Sequence, residues 1–261
     1  PVPNNGLVVP AVLDLIWKAM DAGIPEENII IVISEEKLHD FKKAFQTDRD
    51  EFAEKLAASN KAKFAEATQK VPRLKDEQFV LQRGPYGNAT PLTSLAKKLA
   101  GRLANYEHIL YMFPDDIFLT SGKNDIEQML EAGQKFGGGI FAAKHVLHDE
   151  EYDKYGIVDG DVVAKTRGQV LKVRTIVEKP GKDEAPSDLA SVSGYLLPVE
   201  LLAFAEQHLA RHDELTGEFM IQPIIQTMID GGHEFFALKI NGDYHDTGNF
   251  SDFAKLWSNM D

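Results

Sequence analysis

Apolar positions recur along this chain with two different spacings, and the change between them orders the elements. Val12, Leu15, Ile16, Ala19 and Met20 share one face of a helix over Ala11–Met20, and Gly23 follows where a left-handed cap would end it. Asn28–Ile33 is a short β-branched run without alternation, as in a strand covered on both faces. From Glu35 to Lys75, Phe41, Phe45, Phe52, Leu56 and Phe64 are spaced as apolar stripes on long charged helices, where they are expected to pack.

Gln78–Gln82 reads as the next strand, Arg83–Ala89 as a Gly/Pro turn, and Thr90-Pro91 as a capped helix start running to about Leu103. His108–Phe113 is predicted as a strand, Asp125–Phe136 as a helix and Ile140–Val146 as a strand. This alternation predicts an α/β fold: a Rossmann-like, mainly parallel or mixed sheet flanked by helices.

The second half changes texture. Strand-like pieces at Gly156–Val158, Val162–Ala164, Val170–Glu178 and Val192–Leu197 are separated by turns, which predicts an antiparallel extension of the sheet. Helices over Val199–Leu209 and Phe219–Ile229, a strand over Phe235–Ile240 and a last helix from about Phe250 complete the expectation. No linker or repeat divides the chain, so 1–261 is read as one domain.

Composition narrows the chemistry. The 261 residues are 43% hydrophobic, enough for a large core. A net charge of −13 opposes binding to nucleic acid or to anionic membranes. The absence of cysteine removes thiolate catalysis and Cys-based zinc sites, and fits a reducing, cytoplasmic setting. The longest strongly apolar run, Ile29–Ile33, is far short of the ~20 residues that span a bilayer.

Ligands of open α/β sheets bind beyond the carboxyl ends of the strands. Polar groups expected there are Gln82, the Gly84-Pro85-Tyr86-Gly87 turn, Asp115 and Asp116, Glu178 and Lys179, and His245 to Asn249. Read singly, each is also an ordinary turn, cap or solvated pair. His208 and His212 share a helix face but lack a third zinc ligand, and His145 and His148 lack partners. No Gly-x-Ser-x-Gly, Walker-type or dinucleotide glycine motif occurs.

Taken in order, Gln82 with Gly87-Asn88-Ala89-Thr90-Pro91, Pro114-Asp115-Asp116, Tyr155 to Asp159, Val177-Glu178-Lys179-Pro180, Ala185-Pro186-Ser187, Ser193-Gly194-Tyr195, Gly217-Glu218 and His245 to Asn249 resemble the bacterial-type UTP:glucose-1-phosphate uridylyltransferases (UDP-glucose pyrophosphorylases), a branch of the nucleotidyltransferases. The long charged insert before Gln82 is similar to this branch rather than to the shorter thymidylyl or adenylyl relatives. The resemblance implies Mg²⁺-dependent transfer of uridylyl from UTP to glucose 1-phosphate, giving UDP-glucose and pyrophosphate. It assigns Mg²⁺ to Asp115 and Asp246, uracil to Gln82 and Gly87, and glucose hydroxyls to Glu178 and Gly156. Lys179 would neutralise the sugar phosphate and act in catalysis with Asp115 and Asp246, while Asp116 and Gly194 would line the substrate site. It also implies a homo-oligomer, dimer or tetramer.

Three departures stand out. The family's opening strand and Gly-rich loop, whose Arg and Lys grip the triphosphate, have no counterpart before Pro1-Val2, so the 261 residues alone are expected to show little or no activity. Ala89 stands where the base loop has its second glycine. Ser193-Gly194 stands where the family often has its glycine one residue earlier. A relative using another base or sugar phosphate, and a non-catalytic sugar-nucleotide-binding homologue, remain as rival readings.

Overall fold

The computed structural model describes residues 1–4, 6–165, 169–213, 217–248, 253, 254 and 256, apart from the side chain of Ala100. They fall into two compact units, Pro1–Gly84 and Pro85–Asp261.

In the first unit, an antiparallel hairpin of β1 (Val2–Asn4) and β2 (Leu7–Val9) precedes α1 (Ala11–Asp21). β3 (Ile31–Ile33) and β4 (Phe79–Leu81) pair in parallel, and the Gln82 N–H extends their ladder by donating to Ile33 O at 2.8 Å. The apolar face of α1 supplies Leu13 and Ile16 to a core that also holds Phe45, Leu74 and Phe79.

The stretch expected to form long helices is three short ones: α2 (Glu35–Gln46), α3 (Asp50–Ala58) and α4 (Ala62–Gln69). Phe41 and Phe45 pack as expected, but Phe52 and Phe64 are 58% and 56% exposed. The buried residues of α3 and α4 are the alanines Ala53 and Ala65, and these two helices pack on each other with the phenylalanines left outward.

The second unit runs α5 (Thr90–Leu103), β5 (His108–Met112), β6 (Asp116–Leu119), α6 (Asp125–Phe136), β7 (Gly139–His145), β8 (Gly156–Ala164), β9 (Val170–Glu178), β10 (Leu189–Pro198), α7 (Leu201–Leu209), α8 (Ile221–Asp230), β11 (Phe235–Lys239) and β12 (Asp243–Asp246). Six strands form a mixed sheet in the order β5-β10-β7-β11-β9-β8. β7 and β11 are its parallel neighbours. β5 runs the same way, but β10 lies between β5 and β7, antiparallel to both. The expected co-directional strands are therefore present, with a returning strand inserted among them.

Successive residues of β7 show why its sequence lacks alternation. Phe141 and Ala143 join the core that holds α7 and α8, whereas Ile140 and Ala142 join the one that holds Met129 and Ala132 of α6. Both faces are covered, so both sets are apolar. Asn124 caps α6 by accepting the Glu127 N–H at 2.9 Å, and the Glu127 carboxylate accepts the Asn124 N–H at 2.7 Å, a reciprocal cap.

Several strands differ from expectation, the β1–β2 hairpin among them, since no element was expected before Ala11. The pieces at 156–158 and 162–164 are one strand, β8, with register shifts against β9 between Asp159 and Gly160 and again between Val162 and Ala164. β6 and β12, which the sequence pattern does not mark as strands, form a separate antiparallel ribbon pairing Asp116 with Asp246. The helix expected from about Phe250 falls mostly outside the described residues. Among the described residues, no helix is long and apolar enough to cross a membrane.

Candidate active site

The chain leaves β5 at Met112 and passes through Pro114 and Asp115 into β6, which places Asp115 at a strand end. Thr247, just after β12, donates both its N–H and its hydroxyl to the Asp115 carbonyl at 2.8 Å, locking the two turns together. The Gly248 N–H donates to Asp246 Oδ1 at 2.9 Å. A Cβ on Gly248 would stand 3.1 Å from Asp246 Oδ1 and 3.2 Å from Asp115 Oδ2. The two carboxylates therefore border the same small space. Two carboxylates are what a Mg²⁺ ion that keeps waters and phosphate oxygens in its remaining positions requires, so the donor set fits. Among the described residues, no group of three or more His, Asp or Glu gathers as a metal site, here or elsewhere.

Asp116 is placed differently. Its Oδ2 accepts the Ser193 N–H at 3.0 Å, and its Oδ1 accepts the Tyr244 hydroxyl. Burial pushes its carboxyl up to about 7, against the pull of the Tyr244 hydrogen bond, with the Asp115 charge adding to the rise. Each oxygen of this carboxylate thus has a partner inside the protein.

The second cluster forms where β8 begins and β9 ends. Gly156 lies opposite Glu178 in the ladder, and a Cβ on Gly156 would stand 3.1 Å from Glu178 Oε2 and from Gln222 Cγ. Glycine here leaves room for two inward polar side chains. Glu178 Oε2 and Gln222 Oε1 are both buried, and neither has a hydrogen-bond partner among the described residues. Burial raises the Glu178 carboxyl to about 7, opposed by Lys179 and reinforced by the Glu218 charge. Lys179 adopts a left-handed φ of 46°, and its Nζ lies 3.8 Å from Glu178 Oε1 and 3.6 Å from Glu218 Oε2. Its N–H donates to Tyr155 O at 3.2 Å, fixing this corner beside Gly156.

Buried Tyr195 lies between the clusters. Its hydroxyl accepts from Gln222 Nε2 at 3.3 Å and from Ser191 Oγ at 3.4 Å, and both Glu178 and Asp116 act electrostatically on it. Burial, first, and those two charges push its phenol upward, so it stays neutral at physiological pH.

Glycines read as giving a ligand access are explained first by packing. A Cβ on Gly87 would stand 2.1 Å from Phe219 O, because Tyr86 O and the Ala89 N–H both bond to the Phe219 backbone. A Cβ on Gly194 would stand 2.4 Å from Met112 Sδ, its neighbour in β5. Ala89 replaces a glycine without strain, since its φ is −88°. Ser193 is strained: its φ of 66° lies in the left-handed region that favours glycine. Its hydroxyl is buried and has no partner among the described residues.

Gln82 is exposed at the end of β4 in the first unit. Within the second unit the structure brings Gly156, Glu178 and Lys179 together, sets Asp115 beside Asp246, and gives Asp116 to the scaffold between them. Sequence reading missed Gln222, Tyr195 as a polar hub, and Tyr244. For Tyr244 the spacing of two residues from Asp246 was an available signal; for Gln222, the polar residue on an otherwise apolar helix face was another.

Residues 15–260 match the nucleotidyl transferase family. The chain is 29% identical over 256 residues to a UTP–glucose-1-phosphate uridylyltransferase of Komagataeibacter xylinus, covering 95% of this chain and 82% of that one. It is 28% identical over 253 residues to the enzyme of the same name from Pseudomonas aeruginosa, with the same two shares. Its fold is similar to that of apo UDP-glucose pyrophosphorylase, with a TM-score of 0.80 at 21% identity over 95% of this chain and 85% of the other. A pyrophosphorylase complexed with UDP-glucose gives a TM-score of 0.72 at 19% identity over the same shares. On the family match spanning nearly its whole length, this chain is a member of the nucleotidyl transferase family of enzymes.

Proposed function

We propose that the chain transfers uridylyl from UTP to glucose 1-phosphate, releasing pyrophosphate, and that both compact units belong to one nucleotidyltransferase domain. The observation that carries the reading is the pairing of two clusters in the second unit. Converging Asp115 and Asp246 suit a divalent cation, and Glu178 with Lys179 suits a sugar phosphate. The uridylyltransferase names of the relatives support the choice of nucleotide and sugar.

The attacking group is a phosphate monoester oxygen of glucose 1-phosphate. With a second pKa near ~6 it is already largely ionised at pH 7 and requires no general base. The protein's work is alignment and charge neutralisation, and orientation alone contributes up to ~7–11 kcal/mol. Asp115 and Asp246 would hold Mg²⁺, which would supply positive charge to offset that of the phosphates. The unpartnered Glu178 oxygen accepts from a glucose hydroxyl in the space Gly156 leaves open. Lys179 exchanges its carboxylate neighbours for the sugar phosphate. Gln82 is assigned the uracil edge by its amide chemistry, and Gly87 close backbone access for a ligand. Asp116 and Gly194 support this site through Ser193 and β5 rather than by touching substrate. A cytoplasmic homo-oligomer completes the proposal.

The test is pyrophosphate release by the full-length protein with Mg²⁺, glucose 1-phosphate and each of UTP, dTTP, ATP and GTP. Release with UTP at least tenfold above the others is expected. Preference for another nucleotide moves the chain to a sister specificity, and silence with all four makes it a ligand-binding homologue.

A further inference from the structure

We infer that Tyr244 and Asp116 form a positioning pair that sets Asp246 for metal binding and ties it to the sugar-side strand. This rests on the reading that Asp115 and Asp246 hold a divalent cation. Side chains two apart on a strand share a face, so Tyr244 and Asp246 project the same way from β12. Asp116 lies directly across from Asp246 on β6. The Tyr244 hydroxyl crosses this pair diagonally to Asp116 Oδ1.

The β6–β12 ribbon has four paired positions, and two-stranded ribbons are marginal on backbone pairing alone. Side-chain anchoring must therefore fix it. The Tyr244 ring packs against Phe118 at 5.3 Å and Tyr155 at 6.1 Å, and Lys144 Nζ lies over it at 5.1 Å. Lys144 is itself held by Glu151 at 2.7 Å. A phenylalanine could keep those ring contacts. The hydroxyl alone reaches Asp116, whose other oxygen takes the Ser193 N–H at the bulge of β10. One carboxylate thus bolts the ribbon bearing Asp246 to the sheet that leads to Tyr195 and Glu178. Groups that position a metal-binding carboxylate in this way typically change metal affinity 10–100-fold when altered.

The experiment measures Mn²⁺ binding to the full-length protein by electron paramagnetic resonance, alongside thermal melting, for wild type, Asp246→Asn, Tyr244→Phe, Asp116→Ala and the Tyr244→Phe/Asp116→Ala double variant. Tyr244→Phe and Asp116→Ala are expected each to weaken Mn²⁺ about tenfold, and the double variant no more than the worse single one, because both remove the hydrogen bond from the Tyr244 hydroxyl to the Asp116 carboxylate. Should Asp246→Asn abolish Mn²⁺ binding while Tyr244→Phe binds as wild type, the positioning role falls and the metal site stands. Additive losses that track the fall in melting temperature also overturn it, since they mean general loosening. Unchanged Mn²⁺ binding in Asp246→Asn removes the metal-site reading itself.

Discussion

Glu178 and Asp116 are carboxylates at strand ends of the same unit, both raised to about 7 by burial, yet their surroundings are opposite. Asp116 has a donor on each oxygen, whereas Glu178 keeps one buried oxygen with no partner among the described residues. A buried acceptor left unpaired costs about 1–3 kcal/mol, so a fold tolerates it where a ligand will supply the donor. The wiring of a buried charge, more than its burial, separates scaffold from binding site.

The largest effect tests the neighbour of the paired carboxylate. Asp115→Asn or Asp246→Asn is expected to lower turnover by roughly 100-fold or more with the circular dichroism spectrum unchanged, because charge neutralisation at the phosphates is lost. Retained turnover in either removes that residue from the catalytic set. On the sugar side, Lys179→Ala should raise KM for glucose 1-phosphate by about tenfold, the worth of one charge-assisted contact, with KM for UTP little changed. Rates saturating alike for both proteins would deny Lys179 the phosphate.

The unpaired carboxylate also makes a pH prediction. The folded protein holds the Glu178 proton more tightly than the unfolded chain, so stability falls as pH rises from about 4.5 to about 7. Glu178→Gln removes that loss. It should stabilise the fold by up to about 3 kcal/mol at pH 8 and by almost nothing at pH 4.5, read from urea unfolding at both values. A gain equal at the two pH values would show that Glu178 is not held protonated by burial. The smallest effect concerns the bulge that joins the two carboxylates. Ser193→Gly relieves a left-handed φ and deletes an unpartnered hydroxyl, and should raise stability by about 1 kcal/mol. A loss instead would mean that the hydroxyl is bonded in solution.

How much of this was legible in the sequence follows the same division. Periodicity located α6 and β9 at their observed bounds, because each packs a regular face and carries clear caps or turns. It missed β6 and β12, which are only four residues long, and misjudged α3 and α4, where alanines rather than phenylalanines are buried. The candidate site residues Glu178, Lys179, Gly156, Asp115 and Asp246 come from ordered motifs. The partners of Asp116 could not be read there, since they lie 77 and 128 residues away in Ser193 and Tyr244. The packing duty of Gly87 was hidden for the same reason, as its close neighbour is Phe219.

The central claim is that the open carboxylate at the end of β9 receives the sugar, and initial rates of Glu178→Gln against both substrates test it most directly. The account predicts a rise of at least tenfold in KM for glucose 1-phosphate with KM for UTP unchanged. A rise confined to UTP, or no change in either, would contradict it.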